Sequence, residues 1–357
     1  MKQRPTREMV RFLRSKRILP ASLPLLTGIM LAGLSHGLSR LPEQSPARLS
    51  AGDKSEVVEI FRLKRDLGDK IWPGYAAADI PLILFNGHTE FLVAEKAPPP
   101  GWTAVEGDNL EGQPYFQRPS EKSQAFAVKI GAHWAGSLGT LDTMNASMSL
   151  KLSPDFHIAA ALHEMFHAYE ADAAPARFRE ALAAYGVEAR YPFKDKDFAA
   201  AWKNEGAALH RALSAADQPA ALEAARLFLE LREARRSRAG LGSDLIDYER
   251  DMEWLEGLAK YAEVYYCARF AKVPGGETPA ARPRPGFFPV VWDFARLANN
   301  LGGQEGDIRF YMSGMAQARL LDRVDPAWKI KSGLDKLRLE DVLRAAVQRA
   351  GKVTGQA

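Results

Sequence analysis

The sequence predicts an α+β protein, a small N-terminal mixed sheet followed by a predominantly helical C-terminal part. Three observations carry that prediction. Between residues 80 and 94 two short apolar runs, Ile80–Phe85 and Thr89–Val93, flank the turn-prone pair Asn86-Gly87. Ala125–Ile130 and Ser147–Leu152 are two further runs of strand length, the second alternating. From Ser153 onward apolar residues recur at threes and fours over long stretches, the period of a helix with one buried face.

In chain order, the first 17 residues hold seven Lys or Arg against one Glu, and residues 18–39 contain no Asp, Glu, Lys or Arg. A basic stretch, then an apolar run ending in Ser35-His36-Gly37, reads as a signal peptide or signal anchor over 1–37. Residues 18–37 are long enough for membrane attachment, although Pro20 and Pro24 interrupt them. The basic side then stays in the cytoplasm, and the rest of the chain is expected to be periplasmic or extracellular, or anchored to the membrane from outside. Of the net charge of +4, residues 1–37 contribute +6, so the remainder is close to −2. The basic balance is therefore a targeting signature and gives no reason to expect nucleic acid as a partner. The single cysteine, Cys267, excludes an intramolecular disulfide.

Residues 38–55, rich in Pro, Ser and charge, read as a linker, and 56–152 as the sheet-containing subdomain. The helical segment spans 153–272, with two Ala-rich helices inserted at 195–240 and broken near Asp217-Gln218-Pro219. The insertion's basic end, Arg232 to Arg238, reads as a solvated helix face, with an anion-binding patch as the alternative. A Pro-rich loop at 273–289 cannot be helical, and 290–357 form a C-terminal helical subdomain.

The first long helix carries His163-Glu164-Met165-Phe166-His167. Ser153-Pro154-Asp155 supplies an N-cap, a proline at the first helical position and an acid in the first turn, and Pro175 closes the segment. Two histidines four apart project from one helical face and can share a single Zn²⁺. Glu164 sits about 100° round from His163, beside the metal, where a general base takes a proton from an activated water. The other histidines, 36, 88, 133, 157 and 210, have no comparable setting, and His157 lies about 120° off the ligand face.

A catalytic zinc takes three protein ligands and keeps one open position. Glu170 shares the stripe of His163 and His167 but lies about 10 Å from His163 along the helix axis, too far to converge on bonds of about 2 Å. It is expected to support the ligands from behind or to be a solvated acid. A better third ligand lies in Tyr248–Glu263, a helical stretch in which Glu249, Glu253 and Glu256 are the candidates.

Within it, Trp254-Leu255-Glu256-Gly257-Leu258-Ala259 resembles the second zinc helix of the gluzincin metallopeptidases, the group of thermolysin and the alanyl-aminopeptidases. The resemblance covers about 150–175 and 245–270. The aminopeptidase pattern has one more residue before the glutamate, and Lys260 stands where thermolysin-like enzymes carry an aspartate. The resemblance implies a zincin-like catalytic domain, Glu256 as the metal carboxylate, and Gly257 letting the two zinc helices approach. It implies a peptide or protein substrate, held in extended form along an edge strand. Glu164 would serve as base, and an oxyanion donor would come from Tyr311, Tyr265 or His210. A non-catalytic envelope protein retaining the helix pair, or a zinc hydrolase of a non-peptide bond, are the alternatives. A Gly-x-Ser-x-Gly occurs at Gly33-Leu34-Ser35-His36-Gly37, but it falls inside the uncharged N-terminal run read as a signal segment, and no base accompanies Cys267.

Overall fold

The structure, a computed structural model, describes residues 48–120, 125–146, 152–270, 297, 301–303 and 306–354. The N-terminal 1–37, most of the linker, the strand expected at 147–152 apart from Leu152, and the Pro-rich loop lie outside the described residues. Among the described residues no helix is long and apolar enough to cross a membrane.

The expected linker meets a helix earlier than its composition suggests. Helix α1 (Ala51–Ile71) starts with a capping box: Ser50 Oγ accepts from Asp53 N at 3.1 Å, and Asp53 Oδ2 accepts from Ser50 N at 3.0 Å. Those two bonds satisfy amides that a helix start leaves open, which composition alone does not reveal. Val57, Ile60, Leu63 and Ile71 form its buried stripe.

Six strands follow: β1 (Leu82–Phe85), β2 (Thr89–Val93), β3 (Thr103–Ala104), β4 (Phe116–Pro119), β5 (Phe126–Ile130) and β6 (His133–Gly139). Their order is β3-β4-β2-β1-β6-β5. Only β1 and β6 run parallel, which makes the sheet mixed. The hairpin between β1 and β2 forms as expected, but its turn sits one residue on. Asn86 and Thr89 close the ladder (Asn86 N to Thr89 O, 3.1 Å), and Gly87, at φ +89°, and His88 occupy the tip. Asn86 Oδ1 then accepts from the amides of His88 and Thr89, a local bond that fixes the turn.

One face of the sheet, including Leu84, Phe91, Val93, Ala127 and Leu138, joins the main core. The other face buries Ile83, Leu92, Phe116 and Ile130 under Trp102, and the Arg118 guanidinium lies 4.4 Å above that indole. A short helix, α2 (Leu141–Ala146), leaves β6.

The helical part comprises α3 (Pro154–Ala173), α4 (Pro175–Ala184), a 3₁₀ turn (Tyr185–Arg190), α5 (Lys196–Ser214), α6 (Gln218–Arg238) and α7 (Ser243–Phe270). After them come α8 (Ile308–Val324), α9 (Trp328–Ser332) and α10 (Leu339–Thr354). The break between α5 and α6 falls at Asp217, whose side chain caps α6 by accepting from Ala220 N at 2.8 Å. Helix α3 is the hub: it packs on β6 and β5, on α1 and on α7. A Cβ on Gly136 of β6 would stand 2.7 Å from Met165 N, so strand and helix meet backbone to backbone.

His157 is a satisfied core histidine. Its Nδ1 lies 2.5 Å from Glu56 Oε2 of α1 and its Nε2 2.8 Å from Gly139 O of β6. Burial opposes its charging, but the Glu56 carboxylate outweighs burial and holds the imidazole above its ordinary value. A raised folded-state value stabilises the fold fully below the unfolded value of about 6.5, and the contribution disappears as pH rises through the folded value. In chelator-containing buffer the wild-type melting temperature should therefore fall relative to that of His157→Phe as pH is raised from 6 to 9. Parallel pH profiles would remove the ion pair from the account.

The basic end of α6 is not a solvated face. Arg232, Arg235 and Arg236 are buried and meet carboxylates from three other helices. Arg232 bonds Glu253 bidentately (2.6 and 2.8 Å) and Glu205 (3.1 Å). Arg235 reaches Glu205 and Glu249 at 2.5 Å each, and Arg236 reaches Glu249 and Glu340 at 2.8 Å each. The acids stand on α5, α7 and α10, so the local charge run could not report them.

Candidate metal centre

Helix α3 has almost no wet side: from His157 to Ala171 every residue except Ala160 is buried. His163, Glu164, His167 and Glu170 are therefore held away from water, and polar groups in that position need partners inside the protein. Those partners converge on one point. His163 Nε2 and His167 Nε2 are 3.2 Å apart, with the rings 4.8 Å apart at 80°. Glu256 Oε2, brought in by α7, lies 3.7 Å from His163 Nε2 and 3.4 Å from His167 Nε2. His163, Glu164 and His167 offer donor atoms within 4.8 Å of one another, a group that could hold a metal ion.

The spacing itself tests the fit. Donors bonded to one tetrahedral zinc at 2.0–2.1 Å stand about 3.3 Å from each other. The three separations among His163, His167 and Glu256 span 3.2–3.7 Å. Two imidazole nitrogens and one carboxylate oxygen at that spacing form a donor set of the right chemistry for Zn²⁺.

Each imidazole is also held from behind. His167 Nδ1 is 2.9 Å from Glu170 Oε2, which gives Glu170 the supporting place expected for it. His163 Nδ1 is 3.2 Å from Glu263 Oε2, a residue the sequence reading did not single out. Carboxylates behind metal-bound histidines fix the tautomer that leaves Nε2 free to bind. Burial alone would raise the Glu263 carboxyl, but Lys260 and His163 hold it down at about 2. For His167, burial disfavours the charged ring, yet Glu256 and Glu170 outweigh it and raise the imidazole above its usual value. Burial pushes the Glu170 carboxyl up to about 8 despite the His167 contact, whereas Glu263 stays ionised beside Lys260.

The three acids of α7 separate cleanly. Glu249 and Glu253 are tied to the α6 arginines and are not brought to the histidines, whereas Glu256 is. Gly257 does allow a close helix approach, but to α8 and not to α3: a Cβ there would stand 2.6 Å from Gly314 Cα. Gly257→Ala should cost about 1–3 kcal/mol through overpacking, despite the roughly 1 kcal/mol a helical alanine gains over glycine. A urea-denaturation midpoint equal to or above wild type would contradict that crossing.

Two aromatic hydroxyls stand at the cluster. Tyr185 of the 3₁₀ turn donates to Glu256 Oε1 at 3.0 Å. The Tyr311 ring lies parallel to that of His163, with centroids 6.0 Å apart. Burial first, then the Glu256 charge, pushes both phenols well above their ordinary value, so both keep their protons. Tyr265 stands nine residues from Glu256, on the opposite side of α7, and rests against Tyr266. His210 pairs with Ser214 on its own helix at 3.4 Å and is not brought to the cluster.

Of the residues outside the expected set, Glu263 carried a usable signal. Seven residues after Glu256 is two helical turns on the same face. Tyr185 carried none, because a 3₁₀ turn has no apolar period to read. Phe126, the first residue of β5, packs 4.7 Å from the His167 ring and brings the sheet edge to the site. No known protein-family profile, no curated protein and no solved structure matches this chain.

Proposed function

We propose that this protein is a zinc-dependent peptidase with the gluzincin arrangement, His163, His167 and Glu256 holding Zn²⁺ and Glu164 serving as general base. The observation that carries the reading is the convergence of the two Nε2 atoms and Glu256 Oε2 at 3.2–3.7 Å, with a buried Glu164 on the same helix. A structural zinc site has no use for that extra acid and closes with a fourth protein ligand.

When bound, Zn²⁺ supplies a Lewis acid that acidifies water and polarises a carbonyl. Glu164 takes the proton of the attacking water and returns it to the leaving amine. The Tyr311 hydroxyl, with Tyr185 as second donor, meets the negative charge that develops on the carbonyl oxygen. Among the described residues β5 ends the sheet and packs against α3, and an extended substrate would add along it as a further strand. No covalent intermediate with a side chain is required.

The basic, then uncharged, N-terminal sequence supports action outside the cytoplasm, with 18–37 as the means of membrane attachment if it is retained. The reading is tested by assaying the zinc-loaded chain on a mixed peptide library with and without chelator. Chelator-sensitive cleavage restored by zinc is the expected result; absence of any cleavage by the fully loaded protein would overturn it.

A further inference from the structure

We infer that Lys260 and Glu263 act as a coupled positioning pair that fixes the His163 ring for metal binding. The inference rests on the reading of His163 as a ligand and adds a role for two residues which that reading does not need.

Glu256, Lys260 and Glu263 fall within about 60° of one another around α7, so one stripe delivers all three to α3. The Glu263 carboxylate is shared between two partners through different oxygens. Oε1 accepts from Lys260 Nζ at 2.5 Å, and Oε2 faces His163 Nδ1 at 3.2 Å. All three side chains are buried. A glutamate has three rotatable bonds, and a lone contact to an imidazole leaves it free to swing. Tying the second oxygen to an ammonium on the preceding turn removes that freedom.

The ring is then held with Nδ1 toward Glu263 and Nε2 toward Glu256 and His167. His167 is supported differently, by Glu170 of its own helix at 2.9 Å. The two ligands of α3 are thus anchored to different helices. His163 takes its Nδ1 partner from α7, and His167 takes its own from α3.

Zinc affinity of the full-length protein, measured by competition with a chromophoric chelator, tests the pair with Glu263→Gln, Lys260→Met and the double variant. Replacing a group that orients a metal ligand typically weakens binding by about 10–100-fold. Glu263→Gln should fall in that range. Lys260→Met should weaken binding less, and should add nothing in the Glu263→Gln background, because the lysine acts through the glutamate. The cobalt-loaded variants should show altered d–d absorption, a signature that a loss of packing elsewhere would not produce. Unchanged affinity in Glu263→Gln, or losses that simply add in the double variant, would overturn the inference. Should the glutamine variant fail to fold, the wild type alone decides. Its cobalt form should show two exchange-protected imidazole N–H protons, from His163 and His167, and a single one would refute the pair. Failure of the peptidase reading would appear separately, as bound zinc without hydrolysis in the wild type.

Discussion

Glu164→Gln is expected to keep one zinc per chain and to lose hydrolysis by about 10²–10⁴-fold. The amide has nearly the shape of the carboxylate, so the 5% exposed site is refilled without a cavity. It does not need to bind metal, because His163, His167 and Glu256 already converge at 3.2–3.7 Å. What it cannot do is accept the proton of water and deliver it to an amine. The effect should therefore appear in kcat of the zinc-loaded variant and not in zinc content. A variant with more than a tenth of wild-type turnover, or one that no longer retains zinc, would contradict the assignment of Glu164 as base.

The second large effect is on stability. Arg235→Met should destabilise the fold by about 3–5 kcal/mol, the range found when one partner of a buried ion pair is removed. Arg235 is buried and bonds Glu205 and Glu249 at once, so its loss leaves two buried carboxylates short of a cation. The cost is that of the stranded charges, not the net worth of the pair. Lys96→Met at the exposed Lys96–Asp79 pair, 85% and 61% accessible, should leave the urea midpoint unmoved. Equal midpoints for the two variants would show that the arginine cluster is not buried as described. The same cluster seats α7, which carries Glu249 and Glu253 on the arginines and Glu256 on the histidines. Arg235→Met should accordingly weaken zinc binding as well.

The cluster also sets acid tolerance. Burial alone would raise the Glu249 carboxyl, but Arg235 and Arg236 hold it down at about 2. A lowered folded-state value stabilises above the ordinary carboxylate value of about 4.3, and that stability is lost as pH falls through about 2.

The parts of this molecule that could be read from the sequence are those fixed by local rules. The Ser153 cap and the proline after it are local, and α3 starts there. The hairpin at 82–93 follows from two apolar runs and a glycine turn. Placing His163, Glu164 and His167 together needs only the helical repeat. What was hidden depends on contacts distant in sequence. Arg232, Arg235 and Arg236 look like a surface run because their acids are at 205, 249, 253 and 340. The choice among Glu249, Glu253 and Glu256 needed the same information, since it is the arginines that claim the first two. Gly257 pointed correctly to a close helix approach but could not name α8 as the partner. Tyr185 reaches Glu256 across 71 residues from a turn with no period of its own.

The central claim is that one zinc sits between α3 and α7, held by two imidazoles and a carboxylate. Zinc-edge X-ray absorption on the full-length protein, stripped of metal and reloaded with one equivalent, tests it most directly. Two imidazole nitrogens at about 2.0–2.1 Å with oxygen ligands completing the shell are expected, with loss of ordered zinc in Glu256→Ala. A shell with fewer than two imidazoles, a sulfur ligand, or a spectrum unchanged in Glu256→Ala would contradict it.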